Sequence, residues 1–209
     1  YYFQKTKNES KGLNLTLRNN ILSKFMIGYT LGFLETNNGL FDNRFNGAFS
    51  IIEDTKSIFS SISFKSSLAK ELSFIGSINY SNSSNINSDK IIKNISGLEE
   101  FSFDFALIKK SLFYKDDFLS FRIKQDPRIE KARVSLNIPK GRNPNGVVEF
   151  KSVTLPITPS GREINFETSW SFHGDNGKSF INLSFIDDKD HIKSKDIEIN
   201  LIFAHQRFF

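Results

Sequence analysis

The chain has no cysteine, one tryptophan, one methionine and five prolines among 209 residues. The missing thiols exclude disulfides, thiolate metal sites and cysteine catalysis together. Long apolar runs are also missing. Nowhere does the sequence approach the roughly 18 consecutive apolar residues that a membrane-spanning helix needs. A helical membrane protein is thereby excluded. A membrane β-barrel is not, because its strands expose apolar groups on one side only and average to the hydropathy of a soluble protein. A charge field of one sign is absent as well: 28 Lys and Arg face 23 Asp and Glu, for a net charge of +5. The basic residues are dispersed rather than clustered with stacking aromatics, so no nucleic-acid partner is expected. The opening "YYFQKTK" carries no Met and no charged-then-apolar targeting segment. The chain is expected to be a piece of a longer protein with its signal upstream.

What the sequence does have is phenylalanine, 23 of them, set at period two. Side chains alternate along a strand, so residues two apart share a face. In "KFMIGYTLGF" Phe25, Ile27, Tyr29, Leu31 and Phe33 share one face, opposite Met26, Gly28, Thr30 and Gly32. In "EEFSFDFALIK" Phe101, Phe103, Phe105 and Leu107 oppose Ser102, Asp104 and Ala106. The same alternation recurs at 119–124, at 133–138, through "REINFETSWSF" and through "FINLSF". Residues 1–6, 12–18, 56–64, 71–80 and 147–157 add further candidates. No stretch has a helical period. The end, "IEINLIFAHQRFF", alternates Ile197, Ile199, Leu201 and Phe203 against Glu198 and Asn200 and stops on two aromatics.

An all-β fold follows, occupying 1–209 as one domain. It is expected to be an antiparallel transmembrane β-barrel of about twelve strands, with ten the other count, each long enough for the roughly 9–11 residues a spanning strand needs. Lipid offers no partner to an open sheet edge, so such a sheet must close. A soluble β-sandwich alternates too, around a dry core. The recurrent aromatic runs opposite charged faces favour the membrane. If the C-terminus faces inward, 35–55 and 81–99 are long outer connections, "SSLAKE" and "HGDNG" are short inner turns, "NIPKGRNPNGV" is a longer inner turn and "TPSG" a short outer one.

The residues singled out follow from this layout. Arg122, Lys124, Arg133, Glu163, Glu167 and Glu198 are expected to face the lumen, either as a mutually paired wall or as a wet surface that holds a linker helix. "DDKDH", with Asp187, Asp188, Asp190 and His191, lacks the spacing and the turn glycine of a calcium loop, so it is read as a solvated loop and no metal or cofactor is expected. His173 reads as a turn residue and His205 as an interfacial one. A hydrolase barrel would need a serine and a histidine within hydrogen-bond reach near the lipid boundary, and the abundance of serine makes a chance pairing easy.

The second half carries a more specific pattern. "LSFRIKQDPRIEKARVSLNIPKGRNPNG", "SVTLPITPSGREINFETSWSF" and "INLSFIDDKDH" follow in order. The landmarks are Leu119, Ser120 and Arg122; Gln125, Arg128 and Glu130; Pro139, Gly141 and Arg142; Pro159 to Glu163; then Asp188 and His191. Upstream, "LGFLETNNGLFDNRFNGAFS" belongs to the same pattern, which covers roughly 24–209. It resembles the C-terminal translocator region of subtilisin-type (S8 family) serine-protease autotransporters, with Asp126 and Pro127 departing where the family tends to have Pro-Leu. The resemblance implies a barrel in the outer membrane of a Gram-negative bacterium that anchors and helps display an N-terminal passenger, a subtilisin-like protease. The chain itself is expected not to be an enzyme, because it has no Gly-Thr-Ser nucleophile motif and no Asp-His-Ser set. The resemblance also implies that Phe203 and Phe209 belong to a terminal signal read by the barrel-assembly machinery; Arg207 and His205 stand where apolar residues are usual. Its partners would be outer-membrane lipid, that machinery and its own passenger, and it would be a monomer. The other readings are an outer-membrane pore without a passenger and a soluble β-rich surface-binding module.

Overall fold

The computed structural model describes residues 2–5, 10–22, 24–36, 39–40, 43–44, 54–84, 86–87, 91–174 and 177–207. They are all-β. The strands are β1 (Tyr2–Lys5), β2 (Ser10–Leu22), β3 (Phe25–Thr36), β4 (Gly39–Leu40), β5 (Asn43–Arg44), β6 (Thr55–Ala69) and β7 (Leu72–Ser83). They continue as β8 (Ile86–Asn87), β9 (Ile92–Lys110), β10 (Phe118–Arg142), β11 (Val148–Pro156), β12 (Ile164–Gly174), β13 (Gly177–Asp187) and β14 (Glu198–Arg207). No helix of the described residues is long and apolar enough to cross a membrane.

One antiparallel sheet runs β1-β2-β3-β6-β7-β9-β10-β12-β13-β14, with β8 beside β9 and β11 beside β10. β4 and β5 pair with each other in a separate small hairpin. Each strand on the main path lies beside a close sequence neighbour, an up-and-down order that short connections permit. Among the described residues no pairing joins β14 to β1, so these two are the ends of the sheet. The strands are long: β3 and β7 have 12 residues each and β6 has 15, whereas soluble strands cluster near five or six.

The register brings the alternation of separate strands into continuous rows. Asn19, Ile27, Phe64, Gly76, Phe105, Ile123, Phe166, Phe185 and Ile199 lie side by side across β2 to β14. The row before it on the opposite face runs Arg18, Gly28, Ser63, Ser77, Asp104, Lys124, Asn165, Ile186 and Glu198. One face is therefore apolar and the other polar. At Gly76 the missing side chain lets rings close over the backbone. A Cβ there would meet Phe105 and would come within 2.6 Å of the Phe64 ring. The centroids of these two rings lie 5.9 Å apart across the glycine.

Exposure is opposite to that of a soluble sheet. Phe166, Phe185 and Ile199 are 51%, 39% and 61% exposed, while Ser102, Asn165 and Ser184 on the polar face are 9%, 6% and 6% exposed. A single-layer sheet shelters one face only by curling towards it, so the polar face is the concave one.

The connections sort onto two ends. At one end, here the turn end, β2–β3, β6–β7, β9–β10 and β12–β13 are joined by short links. At the other, the loop end, lie the long connections from β3 to β6, from β7 to β9 and from β13 to β14. The sequence reading is corrected in three places. Segments 119–124 and 133–138 are not two strands but parts of β10, which runs on for 25 residues. Its register slips between Gln125 and Arg128, between Ile129 and Lys131 and again between Lys131 and Arg133. These bulges absorb Asp126 and Pro127 without reversing the chain. Consequently "NIPKGRNPNGV" turns at the loop end, with the long connections, and not at the turn end. Finally, 92–99 is the first part of β9 rather than loop.

Candidate functional site

Three of the six charges assigned to the lumen meet on the concave face. Arg122 on β10 stands opposite Ala106 on β9 and Glu167 on β12. Its Nε donates to Asp104 Oδ1 at 2.7 Å, and a second guanidinium N–H donates to Asp104 Oδ2. Its third nitrogen donates to Glu167 Oε2 at 3.3 Å. Lys124 lies 3.7 Å from Glu167 and 3.5 Å from Asp126, and Asn165 Nδ2 donates to Glu167 Oε1 at 3.1 Å. The chain of partners Asp104–Arg122–Glu167–Lys124–Asp126 alternates in sign, and the fork of Arg122 suits the paired oxygens of Asp104. Asp104 belongs to the same constellation although it is absent from the six; its place opposite Phe103 and Phe105 in the alternation is the signal that finds it.

The other three charges lie elsewhere. Glu198 is on the concave face at the loop end of β14, 2.7 Å from Lys189. Glu163 precedes β12 and accepts the Asp190 N–H at 2.7 Å, so it is a loop residue and not part of the wall. Arg133 stands opposite Ser96, beyond the bulges of β10. Its neighbours Ala132 and Val134 are the buried ones, so Arg133 shares a face with Lys131 and Glu99 and points away from the concave side. Of the two terminal aromatics, Phe203 lies opposite Ile181 on the apolar face and is exposed; Phe209 lies outside the described residues.

A second cluster, which the landmark residues trace in the sequence, forms at the loop end. Arg128 Nε donates to Gly161 O at 2.8 Å, one terminal nitrogen donates to Pro159 O at 2.9 Å, and the other donates to Glu130 Oε2 at 2.8 Å. Arg162 donates to Glu130 at 2.8 Å and to Gln125 Oε1 at 2.5 Å. His191 Nδ1 accepts the Glu163 N–H at 2.9 Å, so its proton sits on Nε2, which donates to Pro127 O at 3.1 Å. Both Asp188 oxygens accept backbone N–H groups, from Ser194 at 2.8 Å and Arg162 at 3.1 Å. Those bonds, the Ser194 one foremost, hold the Asp188 carboxyl below its usual range. Asp188, Asp190 and His191 all adopt the left-handed region, with φ of 48°, 57° and 57°, and the hydrogen bonds hold them there. The Asp188 oxygens are thus occupied by backbone donors. Among the described residues no group of three or more His, Asp or Glu is placed to hold a metal ion.

At the turn end, aromatic rings collect beside the apolar face. Trp170 lies 4.4 Å from Phe172, 5.5 Å from Phe113 and 6.1 Å from Tyr114, centroid to centroid. Asp117 anchors this group. Fully buried, it accepts the Leu112 N–H at 2.7 Å, the Phe113 N–H at 3.1 Å and the Trp170 Nε1–H at 2.9 Å. Burial pushes its carboxyl up, but the indole and backbone donors outweigh it and the net is below the ordinary value of 3.8. A depressed folded-state value stabilises at pH above the unfolded value, and that contribution is lost as pH falls through the folded one. Fluorescence of the single tryptophan is therefore expected to change reversibly below about pH 4. In Asp117→Asn the donors lose their charged acceptor, and the transition should disappear; its persistence would locate the acid response elsewhere.

On the concave face nearby, a cavity of about 510 Å3 is lined by Phe118, Phe180, Ser120, Ser169 and Ser171 among others. Ser179 Oγ lies 2.9 Å from His205 Nδ1 on the apolar face. Among the described residues no carboxylate or amide orients the second nitrogen of that ring, so the pair lacks the third member of a hydrolytic set. No protein-family model, curated protein or solved structure matches this chain.

Proposed function

We propose that this chain is an outer-membrane barrel that serves as the translocator and anchor of an upstream passenger. In this reading the sheet closes in lipid, with β14 brought against the β1 side; β2, β3, β6, β7, β9, β10, β12, β13 and β14 are long enough to cross, while the β10–β11 hairpin projects at the loop end. One observation carries the reading: the inverted exposure, with phenylalanine, leucine and isoleucine outside and serine and asparagine sheltered. Full burial of one such apolar side chain stabilises by about 1.5–3 kcal/mol. A protein in water would forgo that term along every strand, whereas in lipid the same rows are solvated. The aromatic group around Trp170 then sits where a barrel carries its interfacial girdle, and the long connections lie at one end, as outer loops do. The soluble β-module has no support from this pattern.

The passenger reading rests on the sequence resemblance. The landmarks Gln125, Arg128, Glu130, Pro159–Glu163, Asp188 and His191 gather into one cluster, which is a reason for them to travel together. The chain acts as scaffold rather than enzyme, without cofactor, as a monomer in the outer membrane of a Gram-negative bacterium, delivered by the barrel-assembly machinery. Heat-modifiability tests the barrel. Extracted in mild detergent, the unboiled protein should run faster on a gel than the boiled protein. A chain that stays soluble without detergent and runs identically both ways would sink the membrane reading.

A further inference from the structure

At the loop end the two faces of the sheet differ most. Ser57, Ser83 and Leu98 lie side by side across β6, β7 and β9 on the concave face. They are 3%, 3% and 1% exposed. The neighbouring row on the outward face holds Ile58, Asn82 and, further along, Lys131, all exposed. The end of the molecule is therefore not buried wholesale; along β6, β7 and β9 only its inner side is. Ser57 Oγ and Ser83 Oγ hydrogen-bond each other at 2.7 Å. Beyond Leu98 the inner side turns apolar, where Ile86, Ile95 and Val134 form a buried cluster. At the turn end the same face is open: Phe118 and Ala204 are exposed on it beside the cavity already described.

We propose that the lumen is a blind cup, sealed and dry at the loop end and open only at the turn end. In this state the chain is an anchor and not a through-pore. The wall of a water-filled passage must be reachable by water, and serine hydroxyls on such a wall would bond to it. Here the serines pair with each other and the next residues are isoleucine, leucine and valine. An ion crossing at that level would leave its hydration shell without replacement ligands, at a prohibitive desolvation cost. The cup rests on the barrel reading above, and the experiment separates the two.

The chain has no cysteine, so an introduced thiol is unique. Ser83→Cys, Lys131→Cys at the same level on the outward face, and Ser171→Cys near the open mouth would each be exposed to a charged, membrane-impermeant thiol reagent in heat-modifiable protein. Lys131→Cys and Ser171→Cys should label at once. Ser83→Cys should label about a hundredfold more slowly, because a sealed site reacts only through local opening, and at full rate after boiling. Ser57→Cys replaces Ser83→Cys if the latter loses the gel shift. The unmodified chain should give no conductance steps in a planar lipid bilayer. Labelling of Ser83→Cys at the rate of Lys131→Cys, or stepwise conductance of the unmodified chain, overturns the cup while leaving the barrel intact. Loss of the gel shift in the unmodified chain overturns both.

Discussion

Arg128→Ala is expected to destabilise the folded chain by about 3–5 kcal/mol, the range for breaking a buried, hydrogen-bonded ion pair. The Arg128 side chain is only 13% exposed. Its guanidinium is the one group that touches Gly161 O, Pro159 O and Glu130 at once. Alanine would leave two carbonyls without these donors and Glu130 with Arg162 as its remaining cation. Lysine at this position restores the charge but not the fork, so Arg128→Lys should recover less than half of the loss. The check is urea unfolding in detergent, read as the ratio of fast to slow gel bands. A loss below about 1 kcal/mol, the range of a surface pair, would mean that the loop end is held by something other than this residue.

Arg122→Asp is expected to act at the centre of the wall. It would place a third carboxylate beside Asp104 and Glu167, where a cation now bridges the two. Arg122 and Asp104 are 40% and 38% exposed, so solvent screening reduces what the native pair contributes, to about 0.2–1 kcal/mol. The reversal costs more than the loss of the pair, because three like charges repel across a sheltered face. The expected result is loss of the heat-modifiable band at low salt and partial recovery at high salt, since screening weakens the repulsion. Adding Asp104→Arg restores an ion pair in the reverse order and should restore the band. If the reversal alone folds normally, the wall is not held by this network. If Asp104→Arg fails to rescue, orientation rather than charge is the requirement.

Both clusters show where local pattern stops. The polar phase of Arg122, Lys124 and Glu167 is legible because strand alternation is a property of each backbone segment, independent of its neighbours. Arg133 escapes that rule. The two slips that add a residue to β10 cancel and the third adds one to β9, so Arg133, an odd number of residues from Arg122, falls on the opposite face; its apolar neighbour Val134 is the one that is buried. Glu163 misleads for a similar reason: it continues the alternation of β12, yet pairing begins only at Ile164. The passage through Asp126 and Pro127 reads as a turn from composition, but β9 lies alongside from Phe118 to Leu136 and carries β10 past it.

A β-sheet with one apolar and one polar face, long strands and no thiol chemistry can be read from the residues alone. These follow from side-chain period and composition, which need no partner. The folded sheet is needed to make the polar face the concave one, to run β10 as a single strand, to complete the wall with Asp104, and to bring Gln125, Arg128, Glu130, Arg162 and His191 together. Burial, register and contacts between residues about 30 to 60 positions apart depend on which strands pair and where the ladder slips, and that is a property of the whole sheet rather than of any segment in it.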